Sequence, residues 1–268
     1  MRNIEELISL KDRRALVTGG AGHIGMAICG TLMELGATIS LLDLQETVCK
    51  ERCDLLNRQC YPGKALPLAA DIAGESGTRH AVTAAAETMG GLDVIIHSAA
   101  FVGTTTFPGW AVPLEKQTVE AWDAAMRVNL TAAFTLVQTA LPYLETSGHA
   151  SVIFIASIYG LVGPDCRLYE GTNMQMPAGY AASKGGLIQL SRYFATALAP
   201  RIRVNSIIAG GVWRDQPDAF HNRYIEKTPL RRMAREEDFK GAVAYLASDL
   251  SAYVTGTELK VDGGWTAW

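Results

Sequence analysis

The stretch from Arg14 to Leu35 places the strongest constraint on the fold of this chain. Arg14-Ala15-Leu16-Val17-Thr18 is a short apolar, β-prone run, and Gly19-Gly20-Ala21-Gly22-His23-Ile24-Gly25 follows it directly. Met26 to Leu35 then continues with helix-forming residues. A strand that turns through glycines into a helix opens a βαβ unit, the building block of a parallel sheet. The turn also carries chemistry. Residues without a Cβ let a ligand approach the backbone, and the helix N-terminus offers N–H groups and a positive dipole end to a pyrophosphate. Glycines close ordinary strand–helix turns too. The flanking strand and helix favour a dinucleotide, held at Gly19, Gly22, His23, Ile24 and Gly25.

The next apolar run, Gly36 to Asp43, ends on a carboxylate about 20 residues past the glycines, where an acid bonds the adenosine ribose hydroxyls. Asp43, with Leu44 beside it, therefore points to NAD over NADP, whose 2′-phosphate it would repel. No Lys or Arg lies in the turn or immediately after Asp43 to offset that charge. The null alternative is a solvated acid at a strand end.

Further strands are expected at 65–71, 92–100, 150–157, 202–208 and 258–264, and helices at 44–57, 75–89, 120–145, 180–198 and 232–246. The alternation implies one α/β domain over residues 1–268, a Rossmann-like doubly wound parallel sheet flanked by helices, with its ligand site at the carboxyl ends of the strands. Residues 1–12 read as a polar lead, and 101–119 as an irregular crossing of that carboxyl end. Asn129 falls inside the 120–145 helix, where asparagine is mildly unfavourable, so a kink or a structural water is expected there.

Bulk properties narrow the partners. At 268 residues with 49% apolar content, one large core suffices. The net charge of -3, with scattered basic residues, gives no footprint for nucleic acid or an anionic membrane. No apolar run is long enough to span a bilayer, and the start lacks a signal-peptide core, so a cytoplasmic protein is expected. The five cysteines are odd in number, and Cys49, Cys53 and Cys60 lack the spacing of a zinc site. Reduced thiols and no metal are the expectation.

Tyr180-Ala181-Ala182-Ser183-Lys184 places a phenol and an ammonium at i and i+4 of a helix, on one face. A nearby cation stabilises phenolate and brings a tyrosine toward proton transfer near neutrality. Alone, the pair is usually a surface coincidence.

Taken in order, Thr18-Gly19-x-x-Gly22-x-x-Gly25, Asp71-Ile72, Ser98-Ala99-Ala100, Asn129, Ser157, Tyr180 and Lys184 resemble the short-chain dehydrogenase/reductase family over nearly the whole chain. The resemblance implies that Tyr180 exchanges a proton with the substrate and that Ser157 holds the substrate oxygen. It implies that Lys184 binds ribose and lowers the tyrosine pKa, and that Asn129 positions a relay water. It adds Asp71, Ile72, Ser98, Ala99, Ala100, Tyr180, Lys184, Gly210 and Val212 to the NAD contacts, and it implies a homotetramer or homodimer built on the 120–145 and tyrosine helices.

This chain departs from the family pattern at several points. His23 stands where compact members have glycine, while the Gly22–Gly25 spacing is that of the extended, sugar-nucleotide branch. His97-Ser98-Ala99-Ala100 replaces Asn-Asn-Ala-Gly, and Ala209-Gly210 replaces Pro-Gly. Residues 158–178 are longer than usual and resemble the insert of the flagellin-modification branch, which acts on nonulosonic-acid sugars. Arg167, Tyr169 and Asn173 of that insert, with Ser157, are the candidate substrate contacts, and the insert is expected to act as a lid. A surface loop or subunit contact is the bland alternative. The function expected is NAD(H)-dependent interconversion of a secondary alcohol and a ketone on a polar, sugar-like small molecule. The alternatives are a sugar-nucleotide epimerase or dehydratase and a non-catalytic NAD(H)-binding regulator.

Overall fold

The computed structural model describes residues 1–102 and 105–268. In chain order the elements are α1 (Ile4–Ile8), β1 (Arg14–Thr18), α2 (His23–Glu34), β2 (Thr38–Asp43), α3 (Glu46–Asn57), β3 (Lys64–Ala69), α4 (Glu75–Met89) and β4 (Val94–His97). There follow α5 (Val119–Met126), α6 (Ala132–Ser147), β5 (Ala150–Ser157), α7 (Ala178–Ala197), β6 (Ile202–Ala209), α8 (Asp218–Lys227), α9 (Lys240–Ala247) and β7 (Glu258–Val261).

The strands form one parallel sheet of seven in the order β3-β2-β1-β4-β5-β6-β7. The chain starts mid-sheet, runs out to β3, and returns to continue from β4 on the other side of β1. Progress therefore reverses between β1 and β4, and a crevice opens there at the carboxyl ends. Both faces of the sheet are covered. Ile28, Leu32, Met33, Cys53 and Val243 from α2, α3 and α9 pack on one face. Val82, Leu136, Val137, Leu187 and Phe194 from α4, α6 and α7 pack on the other. This two-sided burial explains why β5 is buried at every position and reads as an uninterrupted apolar run.

At the amino end of the sheet, Asp93 is 2% exposed and takes both prongs of the Arg14 guanidinium, at 2.7 and 2.9 Å. The Arg14 backbone N–H and the Ser147 hydroxyl complete its shell.

The structure revises four sequence expectations. The 1–12 lead contains α1, whose start is closed by reciprocal Asn3–Glu6 capping. The helix expected over 120–145 is α5 and α6 joined by a π turn, Arg127–Thr131, with Asn129 in its middle. The helix expected over 232–246 begins only with a 3₁₀ turn at Glu236–Phe239, because Arg232–Arg235 is drawn into loop contacts, among them the Val212–Ala234 bridge. Finally, α8 was not anticipated. Its polar surface hides the spacing of Phe220 and Tyr224, which are its only buried residues.

Candidate active site

The glycine-rich turn links β1 to α2 as a bare backbone cradle. Gly19 has φ 65°, and a Cβ there would come within 2.6 Å of Ala99 Cα. A Cβ on Gly25 would meet the Gly19 carbonyl at 2.0 Å. Both positions therefore require glycine. Gly22 caps α2 without a side-chain bond, so the first amides of the helix, from His23 onward, face the crevice uncapped. His23 is exposed and lies 3.7 Å from Glu236.

Around the cradle, Ser98, Ala99 and Ala100 follow β4 as half-buried small residues, and Asp71 is exposed while Ile72 is buried. Leu44, beyond Asp43, is exposed. Beyond β6, Gly210 donates to the Val261 carbonyl at 2.9 Å, and a Cβ on it would crowd Asp262. Val212 is buried and bridges to Ala234. The pattern suits a dinucleotide laid across the crevice: a cradle that excludes Cβ atoms, an uncapped helix start and an acid at the tip of β2.

Asn129, Ser157, Tyr180 and Lys184 converge at the carboxyl end of β5. Ser157 ends that strand, 5% exposed, and its hydroxyl accepts from Tyr159 N–H at 3.2 Å. Tyr180 lies in the first turn of α7, and Lys184 one turn later, so both reach the same space. Lys184 is 2% exposed, donates to the Ile155 carbonyl at 2.8 Å, and sits 5.8 Å from the Tyr180 ring centroid. Burial lowers the ammonium to about 8. Burial also raises the Tyr180 phenol, against a hydrogen bond to Ser157 that lowers it. The phenol therefore rests above its ordinary value, in the opposite direction to the lowering expected from a neighbouring cation.

Asn129 is fully buried, and its amide is consumed by the fold. Its Oδ1 accepts from Phe101 N–H at 2.6 Å, and its Nδ2 donates to the Phe101 carbonyl at 3.3 Å and to Ser183 Oγ at 2.9 Å. Ser183 in turn donates to the Tyr180 carbonyl at 2.8 Å. The π turn is the local deformation that aims this side chain, a frequent feature of functional sites.

The insert packs against α8. A 3₁₀ turn at Cys166–Tyr169 buries Leu168 and Tyr169 against Phe220 and Tyr224 of α8. Asp165 pairs with Lys227 of α8 and with Arg167, and Arg223 donates to the carbonyls of Leu168 and Glu170. Arg167 and Asn173 are exposed, the first folded back onto Asp165. Tyr169 is 6% exposed, with its hydroxyl 3.0 Å from that of Tyr159.

Sequence reasoning missed Tyr159, Tyr224 and Trp265, which pack beside Tyr180 in this wall. Tyr224 also receives the Gly211 N–H. Nothing local marks them; only the aromatic richness of 159–169 and 220–224 offered a signal.

Comparison with known proteins gives a consistent result. A family profile described as enoyl-(acyl carrier protein) reductase matches residues 19–266. A 4-formylbenzenesulfonate dehydrogenase of Comamonas testosteroni is 32% identical, over 96% of this chain and 99% of that one. A 2,5-dichloro-2,5-cyclohexadiene-1,4-diol dehydrogenase of Sphingobium indicum is 29% identical, over 96% and 97%. Among solved structures, a gluconate 5-dehydrogenase of Burkholderia cenocepacia in complex with NADP and tartrate superposes with a TM-score of 0.86 at 25% identity, over 99% and 100%.

Proposed function

The chain belongs to the short-chain dehydrogenase/reductase family, and from that premise we propose that it interconverts a secondary alcohol and a ketone with NAD(H), on a polar, ring-sized small molecule. The observation that carries the proposal is the convergence of Tyr180, Lys184, Ser157 and Asn129 at the end of β5. An NAD(H)-binding regulator has no need of a buried ammonium beneath a tyrosine.

In this reading the cradle at Gly19, Gly22, His23, Ile24 and Gly25 holds the pyrophosphate, and Asp43 and Leu44 hold the adenosine end. Asp71, Ile72 and Ser98 to Ala100 line the middle, with Gly210 and Val212 at the far end. Bound there, the nicotinamide supplies hydride exchange with a carbinol carbon. Tyr180 gives or takes the hydroxyl proton. Its raised pKa keeps it protonated near neutrality, which makes it the acid for ketone reduction. Ser157 fixes the substrate oxygen against the phenol. Lys184, anchored by Ile155, keeps positive charge below Tyr180 for the direction that needs phenolate.

In this reading the buried aromatic cluster of Tyr159, Tyr169, Phe220, Tyr224 and Trp265, packed with Tyr180, backs the substrate side and suits a ring-sized substrate. The likeness of the insert to the flagellin-modification branch supports a narrower reading, a nonulosonic-acid sugar. The pairing of Arg167 with Asp165 weighs against it, because such a substrate needs a free cation for its anion. Exposed Val119, Trp122, Phe134 and Tyr193 on α5, α6 and α7 support a homotetramer. The test is oxidation of NADH and of NADPH at the nicotinamide absorbance, with ring ketones, aromatic aldehydes and ketosugars, and the reverse reaction with the alcohols. Ketone-dependent oxidation of NADH is the expected result. Cofactor binding without turnover across the panel in both directions would remove the enzymatic reading.

A further inference from the structure

His97 ends β4 where the family's usual residue is asparagine, and it lies between the cofactor cradle and the π turn. It is 1% exposed, and its Nδ1 is 2.9 Å from Thr18 Oγ1. The Thr18 hydroxyl already accepts from Ala99 N–H at 3.3 Å, so its single proton is free for a second partner. The ring Nε2 is buried with no partner in hydrogen-bonding geometry among the described residues. The backbone carbonyls of Val128 and Asn129 stand close enough to the imidazole to favour its charged form. Burial, and after it the charge of Lys184, lowers the imidazole to about 3, so the ring carries one proton near neutrality.

These contacts fix which nitrogen holds that proton. With hydrogen on Nδ1, the Thr18 proton would lose its partner, and the bare Nε2 lone pair would add a second acceptor beside the carbonyls. With hydrogen on Nε2, the free Thr18 proton is spent on Nδ1, and Nε2–H is the donor that one bridging water would carry to those carbonyls.

We propose that His97 is a positioning residue: as the Nε2–H tautomer it ties Thr18, at the start of the cofactor cradle, to the π turn that carries Asn129. The tie runs from Ala99 N–H to the Thr18 hydroxyl, through the imidazole, to the backbone on either side of the Asn129 Cα. It couples the two halves of the site across the crevice, with one bridging water completing the last link. The usual asparagine is too short for this. Its amide reaches the place of Nδ1, whereas a glutamine amide reaches the place of Nε2.

The proposal rests on Asn129 belonging to the catalytic set, so its test is made first without substrate or cofactor. Nitrogen-15 NMR of the histidine rings in the full chain should show His97 with Nδ1 unprotonated and Nε2 protonated, unchanged from pH 8 down to about pH 5. Amide exchange over 127–132 should quicken by about 10-fold in His97→Asn and return to near the wild-type rate in His97→Gln. With the best ketone of the panel, kcat should follow the same order while KM and NADH affinity hold. An Nδ1–H tautomer, or equal exchange in the two variants, overturns the tie. A panel without turnover would leave the tautomer and exchange results standing, so failure of the functional reading and failure of the tie are told apart.

Discussion

Asp43 accepts the backbone N–H of Ala21 through one carboxylate oxygen at 3.1 Å, so the acid at the tip of β2 is bound to the glycine-rich turn itself. Its other oxygen accepts from Leu44 N–H at 2.8 Å. The carboxylate is thus fixed, with spare lone pairs for ribose hydroxyls and a full charge against a 2′-phosphate. Asp43→Asn is expected to move the ratio of NADPH to NADH affinity toward NADPH by about 10-fold. Titration of the intrinsic fluorescence with each cofactor measures it. Wild-type protein that binds NADPH as tightly as NADH would contradict the role given to Asp43.

The Arg14–Asp93 pair holds the opposite end of the sheet. Burial alone would raise the Asp93 carboxyl, but hydrogen bonds from Arg14 and Ser147 outweigh it and hold the group below its usual range. A folded pKa below the unfolded one gives stability that is complete above about pH 4 and is lost as pH falls through the folded value. Asp93→Asn leaves the guanidinium without its partner and should cost about 3 kcal/mol. Denaturant melts across pH 3 to 7 should show a steeper acid limb for the wild type than for the variant.

The insert should behave as one unit with α8. Tyr169→Ala empties a buried site against Phe220 and should cost about 3 kcal/mol while raising KM for the best substrate. Arg167→Ala removes an exposed guanidinium from Asp165, which keeps Lys227, and should leave the melting temperature and kcat/KM near wild type. Thermal melts and steady-state kinetics check both. A large rise in KM from Arg167→Ala alone would support the substrate contact expected of it from sequence.

The sheet was legible because its strands are buried on both faces, and runs such as Ile153-Phe154-Ile155 can be little else. The cradle was legible because steric exclusion of Cβ leaves glycine as a visible trace at Gly19 and Gly25. Asn129 was visible as an oddity in a helix and a kink was expected there, but its form as a π turn and the tertiary bond to Phe101 were not. The wall made by Tyr169, Tyr224 and Trp265 was hidden for the same reason. Residues far apart in the chain meet there through packing, and no period announces it. The upward shift of Tyr180 was missed because burial, which sequence does not show, outweighs the hydrogen bond with Ser157 that lowers it.

The central claim is that Tyr180 moves the substrate proton and is not a principal anchor of the cofactor. The direct measurement is Tyr180→Phe, with turnover and NADH affinity determined on the same preparation. Turnover should fall by about 10² to 10⁴-fold, with the NADH dissociation constant within about threefold of wild type, a difference under 1 kcal/mol. Near-normal turnover in the folded variant would contradict the account.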